Sequence, residues 1–483
     1  MNIPTSFPFS DPAAQTYTQA RLSYWDSMAC MAESSRGLGK YYHRRQAEIY
    51  QNLVQPELKV VEFGCGQGDL LAALRPATGL GLDFSPEMIA RAQKRYPGLR
   101  FVQADVHCLE LDEKFDIIIL SDLLNDVWDV QQVLEQAARL AAPHTRLIIN
   151  SYSRLWEQPL SVAEKLGVAH PILHGNWLTN EDIINLANLA NFELIRRWQE
   201  ILLPLPFPLL APLCNKFLVK LWPFTQLALT NFLTFRPQPK LSKQQYRVSV
   251  IIPARNEAGN IPEIFTRTPH MGRETELIFV EGHSKDDTPA AIEKEITDHP
   301  DRPCVLLRQT GNGKGDAVRL GFAHASGEVL MILDADLTVP PEDLTRFLAA
   351  LCSGKGELIN GVRLVYPMEK QAMRFLNFLG NKFFSLAFSW LLGQPIKDTL
   401  CGTKVLWRAD YEQIAANRAY FGDFDPFGDF DLIFGAVRLN RKIVDLPVRY
   451  RERKYGASNI SRWKHGWLLL RMLAIAARRI KFI

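Results

Sequence analysis

The chain has 483 residues, 47% of them hydrophobic and 22% charged. That balance excludes disorder and fibrous repeats, and the length is too great for one ordinary domain. A net charge of +4 is too small to argue for nucleic acid.

Seven scattered cysteines, with no CxxC spacing, read as reduced thiols rather than a disulfide frame or a zinc site. The opening MNIPTSFPFS has neither a basic nor an apolar signal region, so no secretory leader is expected. The expected compartment is the cytoplasm. The clearest seam is polar, proline-bearing PQPKLSKQQY, residues 237–246. It divides an expected first domain, 1–236, from a second, 247–460, with a basic amphipathic helix over 461–483. Each side opens with an apolar strand running into a turn, followed by alternating strands and helices, which predicts two tandem α/β domains.

In the first half, a strand ending at Val60 and Val61 runs into Glu62-Phe63-Gly64-Cys65-Gly66-Gln67-Gly68-Asp69 and then a helix. Glycines at such a turn let the backbone pass close to a ligand. The next strand ends in Asp83, where an acid can accept hydrogen bonds from two ribose hydroxyls. A third ends in Asp105, followed by Val106, and a fourth ends at Ser121 and Asp122. Four polar strand ends in a row predict a ligand at the carboxyl edge of a doubly wound sheet.

The EFGCGQG turn, the acid at Asp83 followed by FSPEMI, and the Ala104-Asp105 pair resemble class I S-adenosylmethionine-dependent methyltransferases. The resemblance spans about 41–237 and implies a Rossmann-like, seven-stranded fold. It also implies that Glu62, Gly64 and Gly66 contact the methionine portion of the cofactor, Asp83 the ribose, and Asp105 with Val106 the adenine. Asn125, Asp126, Tyr152, Trp156 and His174 are candidates for the methyl-acceptor pocket, being close to strand ends. The rival reading makes this half a non-catalytic cofactor-binding or docking module.

In the second half, VSVIIPARNE carries Pro253, Arg255 and Glu257 at a strand end, and ELIFVEGHSKDDT carries Glu281. Lys314 stands between Gly313 and Gly315 before a helix, where an ammonium can reach phosphate oxygens. Asp334 and Asp336 end the strand VLMILDAD, a spacing that suits a hard divalent cation bridging a diphosphate. This ordered set resembles the inverting family 2 glycosyltransferases of the GT-A fold. The resemblance implies that Pro253, Arg255, Glu257 and Glu281 contact the nucleotide and Lys314 the phosphates. Asp334 and Asp336 would hold Mg2+ or Mn2+. VEGHS stands where VDDGS is usual, which leaves the nucleotide open.

The segments around Arg363, Arg374, KDTLCGTK and RKYGASN look like the polyprenyl-phosphate branch of that family. That likeness implies that Arg363, Arg374 and Arg453 hold the acceptor phosphate. A hydroxyl acceptor would instead need a carboxylate base, for which Asp429 and Asp431 are candidates.

Three apolar stretches, 201–215, 383–396 and 466–477, are each too short, too proline-rich or too charged to span a bilayer. Buried core is the plain reading of the first two, although 383–396 also fits a segment dipping into the bilayer. The third fits an interfacial helix. From Arg449 to Lys481 there are ten basic residues against one acid, Glu452, which predicts contact with an anionic membrane surface. The expected enzyme lies peripherally on the inner face of the cell membrane. Its expected partners are a nucleotide-sugar donor and a lipid acceptor, with no nucleic acid.

Overall fold

In the computed structural model, strands β1 (Lys59–Phe63), β2 (Thr78–Asp83), β3 (Arg100–Gln103), β4 (Phe115–Ser121), β5 (Ala141–Tyr152), β6 (Phe192–Glu200) and β7 (Thr230–Pro237) form one sheet. Their order is β3-β2-β1-β4-β5-β7-β6. The pairs from β3 to β5 are parallel, and β7 runs antiparallel to both β5 and β6. Residues 11–31, 39–165, 173, 175–240, 244–366, 375–421, 428–453, 455 and 462–483 are described by the structure.

The apolar runs of β1 and β4 follow from burial on both faces, as parallel sheets require. Val61, Leu80, Ile118 and Ile149 pack against the helices Val130–Arg139 and Asn180–Leu189. Val60, Ile117, Ile119 and Ile148 pack against Gly39–Leu53, Asp69–Leu74 and Pro86–Arg95. Capping residues set where these helices begin: Ser85 accepts the Met88 N–H and Asp129 that of Gln132.

The second sheet contains β8 (Arg247–Ala254), β9 (Glu274–Glu281), β10 (Cys304–Arg308), β11 (Val329–Ile332), β12 (Leu358–Val362), β13 (Lys404–Trp407) and β14 (Ile443–Pro447). The order is β10-β9-β8-β11-β13-β12-β14, with β13 antiparallel to both its neighbours. Both sheets are mixed and seven-stranded. The chain divides into two compact units, Met1–Gln238 with Phe482–Ile483, and Pro239–Lys481.

The apolar stretches separate in the structure. Phe388, Leu391, Leu392 and Ile396 enter the second unit's core, while Phe383, Leu386 and Trp390 stay exposed. The helix Arg462–Ala476 buries Leu469, Met472 and Ala476 in the same core and exposes Trp467 and Leu470. The stretch 201–215 departs from the core reading, because Phe207, Leu209, Leu210 and Leu213 are all exposed. Its prolines break it into short turns that cannot present one continuous inward face. Among the described residues, no helix is long and apolar enough to cross a membrane.

Candidate active sites

In the first unit, the turn after β1 is left-handed at Gly64, Gly66 and Gly68, with φ of 70°, 51° and 79°. Gly66 faces open space, whereas a Cβ on Gly64 would meet Leu123 at 2.8 Å. The Gly66 N–H donates to Asp83 Oδ2 and the Ser85 N–H to Oδ1, both at 2.9 Å. Burial pushes the Asp83 carboxyl up to about 6, with those two N–H groups opposing the rise. Glu62 is buried at the end of β1 with Oε2 lacking any hydrogen-bond partner. Burial holds its carboxyl well above the usual carboxylate range, against a hydrogen bond from the Leu71 backbone.

Asp105 Oδ1 accepts the His107 backbone N–H at 2.9 Å and faces His107 Nδ1 at 2.6 Å. His107 Nε2 accepts the Asp129 N–H at 3.2 Å. The imidazole therefore carries its proton on Nδ1 and donates it to Asp105. Val106 beside it is buried.

Of the acceptor-pocket candidates, Tyr152 is half-buried with its ring 6.0 Å from Tyr42 and 6.5 Å from Trp177. Asn125 latches a loop by donating to the Asn176 carbonyl at 2.7 Å. Trp156 donates to the Leu227 carbonyl at 3.0 Å. His174 lies outside the described residues. Asp122 gathers three donors: Tyr42 Oη at 2.8 Å, Gln46 Nε2 at 2.7 Å and Asn150 Nδ2 at 2.6 Å.

The helix Pro12–Met31 was not legible as part of this site. Its Trp25 Nε1 and Arg21 Nε donate to Asp126 at 2.6 and 3.1 Å, and Asp26 accepts Ser85 Oγ at 2.5 Å. Asp126 thus ties the N-terminal helix to the carboxyl edge of the sheet.

In the second unit, β8 and β9 pair Ala254 with Glu281, so the turns after both strands leave at one level. Glu281 accepts the Ser284 N–H at 2.5 Å. Pro253 is half-buried and Arg255 is exposed. Lys314 begins the helix Lys314–His324, and its Nζ lies 2.5 Å from Asp334 Oδ1. Burial opposes ionisation of Asp334, yet Lys314, with Lys404 and Arg363 behind it, holds the carboxyl below its ordinary range.

Asp336 Oδ1 accepts the Thr338 hydroxyl at 2.7 Å and its N–H at 3.1 Å. Asp336 Oδ2 accepts Arg453 at 2.7 Å, and the same guanidinium reaches Glu257 at 3.2 Å. Burial raises the Glu257 carboxyl to about 7, with Arg453 and Asn260 opposing.

Arg363 is clamped by Asp398, with Nε and one terminal nitrogen at 2.7 and 2.9 Å. Asp429 receives the buried Lys404 at 2.9 Å, and Asp431 receives Arg418 at 2.7 Å. Arg374 lies outside the described residues. Gly402 and Lys404 stand within the KDTLCGTK motif, but the sequence gives neither of them a role. A Cβ on Gly402 would collide with both Lys314 Nζ and Asp334, so this glycine permits the pair's close approach. Among the described residues, no group of three or more His, Cys, Asp or Glu forms a metal shell.

The model of the family described as "Methyltransferase domain" matches residues 55–200, and that of "Glycosyl transferase family 2" matches 249–414. The chain joins a methyltransferase domain to a family 2 glycosyltransferase domain.

The glycosyltransferase half is 29% identical over 229 residues to a polyprenol monophosphomannose synthase of Mycolicibacterium smegmatis, covering 46% of this chain and 84% of the relative. It is 26% identical over 223 residues to an undecaprenyl-phosphate 4-deoxy-4-formamido-L-arabinose transferase of Enterobacter sp. (strain 638). That match covers 45% of this chain and 63% of the relative, so the chain spans less than two thirds of that protein. A SAM-dependent methyltransferase structure from Thermotoga maritima matches at 19% identity and a TM-score of 0.34, covering 41% of this chain and 90% of the other.

Proposed function

We propose that the glycosyltransferase domain moves a sugar from a nucleotide-sugar to a polyprenyl phosphate or related lipid phosphate. The methyltransferase domain would transfer a methyl group from S-adenosylmethionine. The observation that carries the first reading is the charge array of Lys314–Asp334 beside Arg453–Asp336. A lysine at a helix start and an arginine on a loop, each paired with a carboxylate that follows β11, suit a diphosphate leaving group and an anionic acceptor.

In the reaction, a phosphate oxygen of the acceptor bonds to the sugar's anomeric carbon as the bond to the nucleoside diphosphate breaks. Lys314 stabilises the charge on the departing oxygens, and Arg453 orients the acceptor phosphate. Asp334 and Asp336 are hard oxygen donors that would hold Mg2+ or Mn2+, which supplies further charge neutralisation when bound. Pro253, Arg255, Glu257 and Glu281 would contact the nucleotide. An anionic acceptor needs no base. A hydroxyl acceptor would, and the ion pairs already made by Asp429 and Asp431 favour the phosphate reading.

For the methyltransferase domain, the orphaned Glu62 Oε2 suits the cofactor's cationic amino group, and open, left-handed Gly66 leaves room for its approach. Asp83 would take the ribose, and Asp105 with Val106 the adenine. When bound, the cofactor supplies an activated methyl, and the enzyme's share is positioning and exclusion of water. Titration calorimetry tests this directly. Binding should release protons, because an ammonium beside Glu62 returns a raised carboxyl to its ionised form. Equal heats in buffers of different ionisation enthalpy would contradict that arrangement.

The exposed Trp467 and Leu470, with the basic tail, support attachment to the inner face of the cell membrane.

A further inference from the structure

Residues 201–229, between β6 and β7, turn an apolar face outward. Phe207, Leu209, Leu213, Trp222, Phe224 and Leu227 are exposed, Leu209 at 88% and Trp222 at 81%. Soluble surfaces rarely gather large apolar side chains this densely without a partner.

The segment is held from within. Asn215 is fully buried; its side-chain oxygen accepts the N–H groups of Leu202 and Leu203, both at 2.8 Å. Its amide donates to the Leu203 carbonyl at 2.7 Å and to Tyr41 Oη at 3.1 Å. Lys220 is buried against Glu200. Ala211, Val219, Ala228 and Leu229 point inward. Polar atoms are thus satisfied inside while leucines and tryptophan face out, the reverse of an ordinary surface loop.

The topology says which edge this surface occupies. β7 pairs Thr230 with Tyr152, the last residue of β5, and with Glu200, the last residue of β6. The whole segment therefore emerges at the carboxyl edge of the sheet. Glu62, Asp83, Asp105 and Asp122 lie at strand ends on that same edge.

We infer that residues 201–229 form a membrane-docking surface of the methyltransferase unit, with an anionic phospholipid bilayer as the occupant. The stretch contains no Asp or Glu, and Lys216 on it is exposed. An acid-free apolar face with a lysine and an outward tryptophan matches an interface rich in acidic headgroups. Docking would bring the ligand edge of the sheet to lipid-borne methyl acceptors. Only this last consequence rests on the methyltransferase reading; the docking itself does not.

Co-sedimentation of the full chain with phosphatidylcholine vesicles containing phosphatidylglycerol tests the inference. Three proteins are compared: the unmodified chain, Leu209→Glu/Trp222→Glu, and Trp467→Glu/Leu470→Glu. The first double variant should lower the partition coefficient at least fivefold while its unfolding temperature stays unchanged, since both side chains are exposed. The inference is overturned if that variant binds as the unmodified chain does, or if the unmodified chain does not bind vesicles. Loss confined to the Trp467/Leu470 variant would likewise overturn it, while leaving the glycosyltransferase's membrane attachment intact. A dimer in sedimentation velocity that the Leu209/Trp222 variant dissolves, with vesicle binding unchanged, would assign the face to a second copy and overturn it too.

Discussion

Lys314 Nζ lies 2.5 Å from Asp334 Oδ1, and Gly402 faces this pair without a side chain. The lysine starts a helix, the acid follows β11, and the glycine precedes β13, so three elements meet at one point. Gly402→Ala would push the two charges off their positions with little apolar burial at stake. The expected outcome is a loss of glycosyl transfer of about 100-fold, the scale of a roughly 1 Å misplacement. Thermal unfolding of the variant should stay close to that of the parent chain. Steady-state kinetics and calorimetry check both halves of the statement.

Lys404 is fully buried, donating to Asp429 at 2.9 Å and to the Cys401 carbonyl at 2.6 Å. Removing only the cation strands a buried carboxylate, so Lys404→Met should cost about 3–5 kcal/mol. Lys404→Met with Asp429→Leu should recover most of that loss. Urea unfolding followed through the second unit's transition measures both variants.

The strand-end positions of many candidate residues were visible in the sequence, because strand ends with glycines or acids are local patterns. The turn from Glu62 to Gly68, Asp83, and the Asp334/Asp336 pair each stand at such an end. What escaped was contact between distant residues. Arg453 reaches Asp336 across 117 positions and Trp25 reaches Asp126 across 101, and no spacing rule connects them. The family likeness assigns Arg363 to the acceptor phosphate, and nothing in the spacing announces the acid that clamps it from 35 residues onward. The stretch 201–215 misled for another reason. Apolar content predicts burial only when a face is continuous, and its prolines prevent that.

Asp83 supplies a pH test with opposite signs for folding and binding. Its carboxyl sits at about 6 instead of 3.8, raised by burial against two N–H donors. Between those values the native chain holds a proton that the unfolded chain has lost. Its contribution to stability is therefore complete below the unfolded value and is lost as pH rises through about 6. In the proposed arrangement ribose hydroxyls would donate to the ionised form, so cofactor affinity should instead climb as pH rises, by up to about tenfold per unit below the folded pKa. Asp83→Asn should reduce that slope in titration calorimetry, leaving the part that Glu62 contributes.

The acceptor can be read from Asp429 and Asp431. With a phosphate acceptor, the conservative Asp431→Asn should keep transfer within about tenfold of the parent, since no base is required. A hydroxyl acceptor would make the loss about 100-fold or more if Asp431 were the base. Asp429→Asn, made with Lys404→Met to avoid an unpaired lysine, tests the other carboxylate in the same assay.

The most direct measurement is nucleoside diphosphate release by the purified full chain with Mg2+ or Mn2+. A panel of nucleotide-sugars is supplied with and without polyprenyl phosphate in vesicles. The expected result is release that requires the lipid phosphate and yields a polyprenyl-linked monosaccharide. Release unaffected by the lipid phosphate, or none from any sugar nucleotide, would contradict the account.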